Sequence, residues 1–120
     1  MKAIVAKQIY EAHAKICQVL SNPKRLEVID LLRTGEKAVG ELMKQMGVTK
    51  ANLSQQLAVM RDKGVLETRR EGQKIYYRLA FPKMLRAYDL LREILIEKMK
   101  TTDSMGQHLK KLGPKKGLCA

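Results

Sequence analysis

The stretch from Glu41 to Leu79, ELMKQMGVTKANLSQQLAVMRDKGVLETRREGQKIYYRL, constrains the fold of this chain more than any other. Two segments with helical periodicity, Glu41–Met46 and about 50–63, are separated only by Gly47, Val48 and Thr49. Glycine stops the first helix and threonine caps the second, so the spacing predicts two helices joined by a tight turn. After Gly64, the segments Leu66–Arg70 and Lys74–Leu79 flank Glu71-Gly72-Gln73. They predict two strands and a hairpin, with Gly72 able to take the positive φ of the turn. A helix-turn-helix followed by a basic hairpin has a helix to place in a DNA groove and a hairpin to lay along the backbone beside it.

The flanking sequence predicts three more helices. Residues 3–20 carry Ile4, Ile9, Ile16 and Leu20 at helical spacing, with Val5, Ala12 and Cys17 beside them. Ser21-Asn22-Pro23 breaks the chain, Ser21 being the expected cap and Pro23 suiting a first turn. Leu26, Val28, Ile29, Leu31 and Leu32 make the second helix central, and Gly35 ends it. Pro82 opens a fifth helix reaching about Lys100. Its stripe of Met84, Leu85, Tyr88, Leu91, Leu95 and Met99 is widened by Ala87, Leu90, Ile94 and Ile96. The expected fold class is mainly α with a small β-hairpin, a winged helix-turn-helix of five main helices. A short C-terminal helix is expected over about 103–112. Helices 1 and 5 hold more apolar surface than one small core covers, which predicts a homodimer through them. Residues 1–100 form the expected DNA-binding and dimerisation domain, and 101–120 a basic, partly flexible tail.

Lys and Arg number 24 against 12 Asp and Glu, a net charge of +12 on 120 residues. Such a balance favours a polyanionic partner, either nucleic acid or an anionic membrane surface, although solubility alone also explains high charge. The excess is spread along the chain rather than gathered in one arm. No run approaches the roughly 20 apolar residues of a membrane span. Lys7, Glu11 and Lys15 interrupt the N-terminal stretch, so it does not read as a signal peptide. Two cysteines give no disulfide framework, and the reading is a cytoplasmic protein. No nucleophile–base set, metal cluster or Gly-rich phosphate loop is present in the sequence pattern, so neither an enzyme nor a cofactor is expected.

At 100° per residue, Leu53, Leu57 and Met60 form the buried stripe of the fourth helix, and Ala51, Gln55, Ala58 and Asp62 point the opposite way. Ala51 is small enough to approach a thymine methyl, and Gln55 can pair bidentately with adenine, as Asn52 can at the edge. Ser54 and Thr49 suit phosphate or base contacts and Lys50 suits phosphate. The expected DNA-contacting set is Thr49, Lys50, Ala51, Asn52, Ser54, Gln55 and Gln56, with Arg69, Arg70, Gln73 and Lys74 on the wing. Glu67 and Glu71 partly offset the wing's charge. The competing readings are a merely solvated polar face, a nonspecific architectural DNA-binding protein, and a winged-helix protein-interaction module.

The stretch from Ile16 to about Met99 resembles the ArsR/SmtB family of bacterial winged helix-turn-helix repressors. The resemblance lies in LSNPKRLEVIDLL, in VGELMKQMGVTKANLSQQLAVMRDKGVLE and in the wing TRREGQKIYYRL. It implies a homodimeric repressor on a double-stranded operator of two-fold symmetry, released by an inducer whose identity the sequence does not give. The family's metal sites are not carried over. Ala38, Val39, Gly40, Glu41 and Leu42 stand where the third-helix thiolate run would be, and Phe81, Lys83, Ile94 and Glu97 stand at about the fifth-helix positions. VGEL, LSQQL and ETRR look closest to the persulfide-sensing branch, yet the positions aligned with its two cysteines hold Asp30 and Ile96.

Cys17 and Cys119 remain as candidates for a redox or effector switch, the tail being long enough to fold back on helix 1. The plainer reading makes Cys17 a small residue on the buried side of helix 1 and Cys119 an incidental exposed thiol.

Overall fold

The computed structural model describes residues 2–100, with side chains from residue 6 onward. They fall into two compact units, one up to Pro82 and one from Lys83. The first unit runs α1 (Lys2–Val19), α2 (Pro23–Leu31), a 3-10 turn (Leu32–Thr34), β1 (Lys37–Ala38), α3 (Val39–Met46), α4 (Lys50–Asp62), β2 (Leu66–Glu71) and β3 (Lys74–Leu79). The second unit contains α5 (Met84–Lys100). Cys119 and the expected short C-terminal helix lie outside the described residues.

The helix ends follow local chemistry. Asn22, extended as a residue before proline must be, caps α2 by accepting from the backbone N–H groups of Lys24 (2.9 Å) and Arg25 (3.3 Å). The expected cap, Ser21, is displaced from that role because Pro23 starts the helix and leaves the position before it to Asn22. Ser21 instead donates to the carbonyl of Cys17 at 2.8 Å. Gly47, at φ 68°, ends α3 in the left-handed region that favours glycine. Two residues later Thr49 caps α4, its Oγ1 accepting from the N–H of Asn52 at 3.2 Å.

The sheet is antiparallel in the order β1-β3-β2. The expected hairpin is present, with a third strand that the sequence pattern did not reveal. β1 has only two residues, too few to show alternation, and it becomes a strand by pairing Lys37 with Tyr77 and Ala38 with Tyr76. That pairing anchors the wing's inner strand to the segment entering α3.

The core is built by Val28, Ile29 and Leu32 after α2's first turn, Leu42 of α3, Leu53, Leu57 and Met60 of α4, and Val65, Leu66, Tyr77 and Leu79 at the base of the sheet. Among the described side chains, α1 adds only Val19 from its last turn. The expectation of a buried Cys17 is therefore corrected. The thiol is exposed, because the other elements fill the core and α1 meets it only at its end. Ile9, at 59% exposure, and Tyr10 are likewise exposed. α5 buries none of its residues and exposes Leu90, Leu91, Ile94 and Leu95. No helix among the described residues is long and apolar enough to cross a membrane.

One polar residue ties the helices together. Arg25 donates from Nε to Oε1 of Gln56 on α4 at 2.8 Å and from Nη1 to the carbonyl of Val19 at 3.0 Å. It thus fixes the end of α1 and the flank of α4 against the start of α2. Leu57→Ala should lower the unfolding free energy by about 2–5 kcal/mol, since it opens a cavity at a fully buried site. Arg25→Ala should lower it by about 1–3 kcal/mol through lost charge-assisted hydrogen bonds. Urea denaturation of both variants checks the order of the two effects.

Candidate nucleic-acid interface

Burial of Leu53, Leu57 and Met60 turns the opposite side of α4 to solvent. Lys50, Ala51, Ser54 and Gln55 are exposed there, as the helical spacing predicted. Thr49 is exposed too, with its hydroxyl oxygen engaged as the cap. The helix N-terminus adds backbone N–H groups and a positive dipole end to the same region.

Two members of the expected set are placed differently. Gln56 is half-buried and its side-chain oxygen is held by Arg25, so it supports α4 rather than standing free. Asn52 is half-buried, and its Oδ1 is enclosed with no hydrogen-bond partner among the described residues. Of the three amide side chains on this helix, Gln55 is therefore the exposed one.

The family comparisons bear on this arrangement. The sequence model for bacterial regulatory proteins of the arsR family matches residues 22–68, from the cap of α2 into β2. The biofilm growth-associated repressor of Xylella fastidiosa (strain Temecula1 / ATCC 700964) is 42% identical over 81 residues, spanning 68% of this chain and 71% of the relative. The chain belongs to the arsR family. Among solved structures, Rv0081 of Mycobacterium tuberculosis is similar with a TM-score of 0.71 at 31% identity, covering 80% of this chain and 97% of that one. A homodimeric winged helix-turn-helix DNA-binding domain from Mycobacterium bovis gives a TM-score of 0.68 at 31% identity, covering 76% and 84%. This arsR-family protein is accordingly a DNA-binding transcriptional regulator with α4 as the second helix of its helix-turn-helix.

The wing of this arsR-family chain is less basic than its sequence suggests. Residues directly opposite in an antiparallel pair share a face. Leu66 with Leu79 and Thr68 with Tyr77 lie on the core side, and Arg70 with Ile75 extends that side to the tip. The outer side carries Glu67 with Arg78, Arg69 with Tyr76, and Glu71 with Lys74. Arg78 donates to Glu67 at 2.7 Å. Arg69 makes a bidentate pair with Glu36, Nε to Oε1 at 3.1 Å and Nη2 to Oε2 at 2.5 Å. Its guanidinium also lies 4.8 Å from the centre of the Tyr76 ring and 3.5 Å from Glu71.

Sequence reasoning missed Glu36 because its partner lies 33 residues away and is reached only through β1 pairing with β3. Arg70 and Lys74 form no ion pair among the described residues, so their charges stay available at the tip. No group of three His, Cys, Asp or Glu among the described residues could hold a metal ion.

The hydrogen bond from Arg69 holds the Glu36 carboxyl below its ordinary value of 4.5, and the same bond raises the guanidinium's own value. A carboxyl whose folded-state value is depressed stabilises the fold above its unfolded value and loses that contribution as pH falls through the lower, folded value. The Glu36–Arg69 tie should therefore persist at pH 4.5 and break only below it. Side-chain NMR of the Arg69 Nε–H over an acid titration should show one transition below pH 4.5. That transition should vanish in Glu36→Gln.

Proposed function

We propose that this chain is a homodimeric repressor that reads a DNA operator of two-fold symmetry and releases it on an inducer or redox signal. The observation that carries the reading is the solvent face of α4, where Ala51, Ser54 and Gln55 stand opposite the buried Leu53, Leu57 and Met60. A small residue beside an exposed amide suits close approach to base edges, Gln55 pairing with adenine and Ala51 meeting a thymine methyl. Lys50, Thr49 and Ser54 contact flanking phosphates, and Asn52 reads the edge of the site after a turn of its side chain. Gln56 acts through its bond to Arg25 by holding α4 in place. Arg70, Lys74 and Gln73 at the wing tip reach the backbone or the minor groove. Arg69 contributes less, because Glu36 already neutralises it.

The dimer reading is supported by the uncovered Ile9 and Tyr10 of α1 and by the four exposed aliphatic residues of α5. In such a dimer the two copies of α4 are expected to enter successive major grooves, about 34–36 Å apart. The Mycobacterium bovis domain named above is homodimeric. The exposed thiol of Cys17 is open to an oxidant, which fits it, together with Cys119, for the redox form of the signal. The protein acts in the cytoplasm and has no catalytic step of its own.

The test is selection of bound sequences from random DNA, followed by affinity measurements on the preferred site. Gln55→Ala should cost about 1–3 kcal/mol of discrimination and relax base preference at its position. Arg70→Ala and Lys74→Ala should weaken every sequence alike and lower the salt slope by about 1 each, with a smaller effect for Arg69→Ala. An unchanged preferred sequence in Gln55→Ala would show that α4 docks another way. Equal affinity for selected and random DNA would instead mark an architectural protein.

A further inference from the structure

A solvent-open cavity of about 260 Å³ lies where the last turns of α1, the start of α2 and the end of α4 converge. Lys15, Gln18 and Val19 line it from one face of α1, Arg25 from α2, and Val59 and Lys63 from α4 and its cap. Three of the six lining residues are cations and none is a carboxylate. Neither Lys15, Arg25 nor Lys63 forms an ion pair with a carboxylate among the described residues. Elsewhere in this unit basic side chains do find such partners, as Arg33 does in Asp30 and Arg78 in Glu67. The cavity thus concentrates positive charge that the fold itself leaves uncompensated.

The Arg25 guanidinium is already oriented, since Nε is committed to Gln56 and one Nη1 hydrogen to the carbonyl of Val19. Of its five N–H donors, three remain for a ligand. A planar donor fork held in place by two protein acceptors is matched to an oxyanion, and two lysines add point charge around it. Val19 and Val59 supply an apolar wall beside the cations. The volume lies just under the roughly 300–1,000 Å³ of drug-sized sites, which sets the scale of the ligand at a small metabolite.

We infer that this cavity binds a small organic oxyanion, a phosphonate, phosphate ester or carboxylate with a short aliphatic tail. Its head sits on Arg25, Lys15 and Lys63, and its tail lies on Val19 and Val59. A DNA phosphate offers the same charge, and Arg25 reaches the reading helix through its bond to Gln56, so a DNA competitor is needed to separate the two sources. The far end of the site is more remote. Lys63 is twelve residues beyond Ala51, about 18 Å along the helix axis. The site touches both α1 and α4, and the binding claim stands without the operator reading.

The test titrates the full-length chain with methylphosphonate and with butylphosphonate, following the backbone amide NMR signals of Gln18, Arg25 and Lys63. Saturable shifts are expected for both, with the butyl compound about tenfold tighter because its added methylenes meet the valines. The double variant Lys15→Gln with Lys63→Gln should weaken binding at least roughly tenfold. Lys44→Gln, a surface lysine outside the cavity, should not. Shifts that fail to saturate, that persist in the double variant, or that are equal for the two compounds would overturn the assignment. Displacement of butylphosphonate by a short random-sequence duplex would also overturn it, by making the cavity a DNA-backbone contact.

Discussion

Burial of Leu53, Leu57 and Met60 sets the rotation of α4, and the functional surface follows from that rotation. With those three side chains fully enclosed, Ala51, Ser54 and Gln55 have no direction but outward. The stripe is held from several sides. Leu42 and the α2 residues Val28 and Ile29 belong to the same core, and Val65 and Leu66 close it where the chain leaves α4 for the wing. Turning α4 by even one residue would move about 100° of helix surface and exchange buried leucines for exposed amides. Arg25 reinforces the same setting by holding Gln56, the flank of the helix, to α2 and to the end of α1.

The wing illustrates how pairing redistributes charge. Read in order, TRREGQK offers three basic side chains around one turn. Once β3 lies between β1 and β2, Glu36 comes beside Arg69, and Glu67 faces Arg78 across the hairpin. These pairs are exposed and add little to stability, but they fix side-chain direction. The outer face is close to neutral, and unpaired positive charge is left to Arg70 and Lys74 near the tip. A hairpin of this kind presents its unpaired cations at its end rather than along its whole outer face.

Much of the candidate interface was legible because it rests on local signals. Gly47 and Thr49 mark the turn between α3 and α4, and the 3.6-residue period places Gln55 opposite Leu53 and Leu57. The alternation of Ile75, Tyr77 and Leu79 with their polar neighbours gives the two faces of β3, with Tyr77 and Leu79 buried. What escaped the sequence was contact between distant residues. β1 is too short to carry a period, Glu36 is 33 residues from Arg69, and Arg25 is 31 residues from Gln56. Cys17 was misjudged for a related reason. A helical period reports which side of a helix is apolar, not whether the same chain supplies the cover.

The sequence by itself determined the order of the five helices and the wing hairpin, most helix boundaries within about two residues, and the side of α4 that faces solvent, since each depends on residues within one or two turns of one another. Tertiary structure alone decided which polar side chains remain free. Pairing is a matter of distance in space, and only the folded chain brings Glu36 to Arg69, Gln56 to Arg25, and Lys15 and Lys63 to the walls of one cavity. The stretch from Glu41 to Leu79 thus specified the shape that meets DNA, and contacts from outside it specified which charges that shape presents.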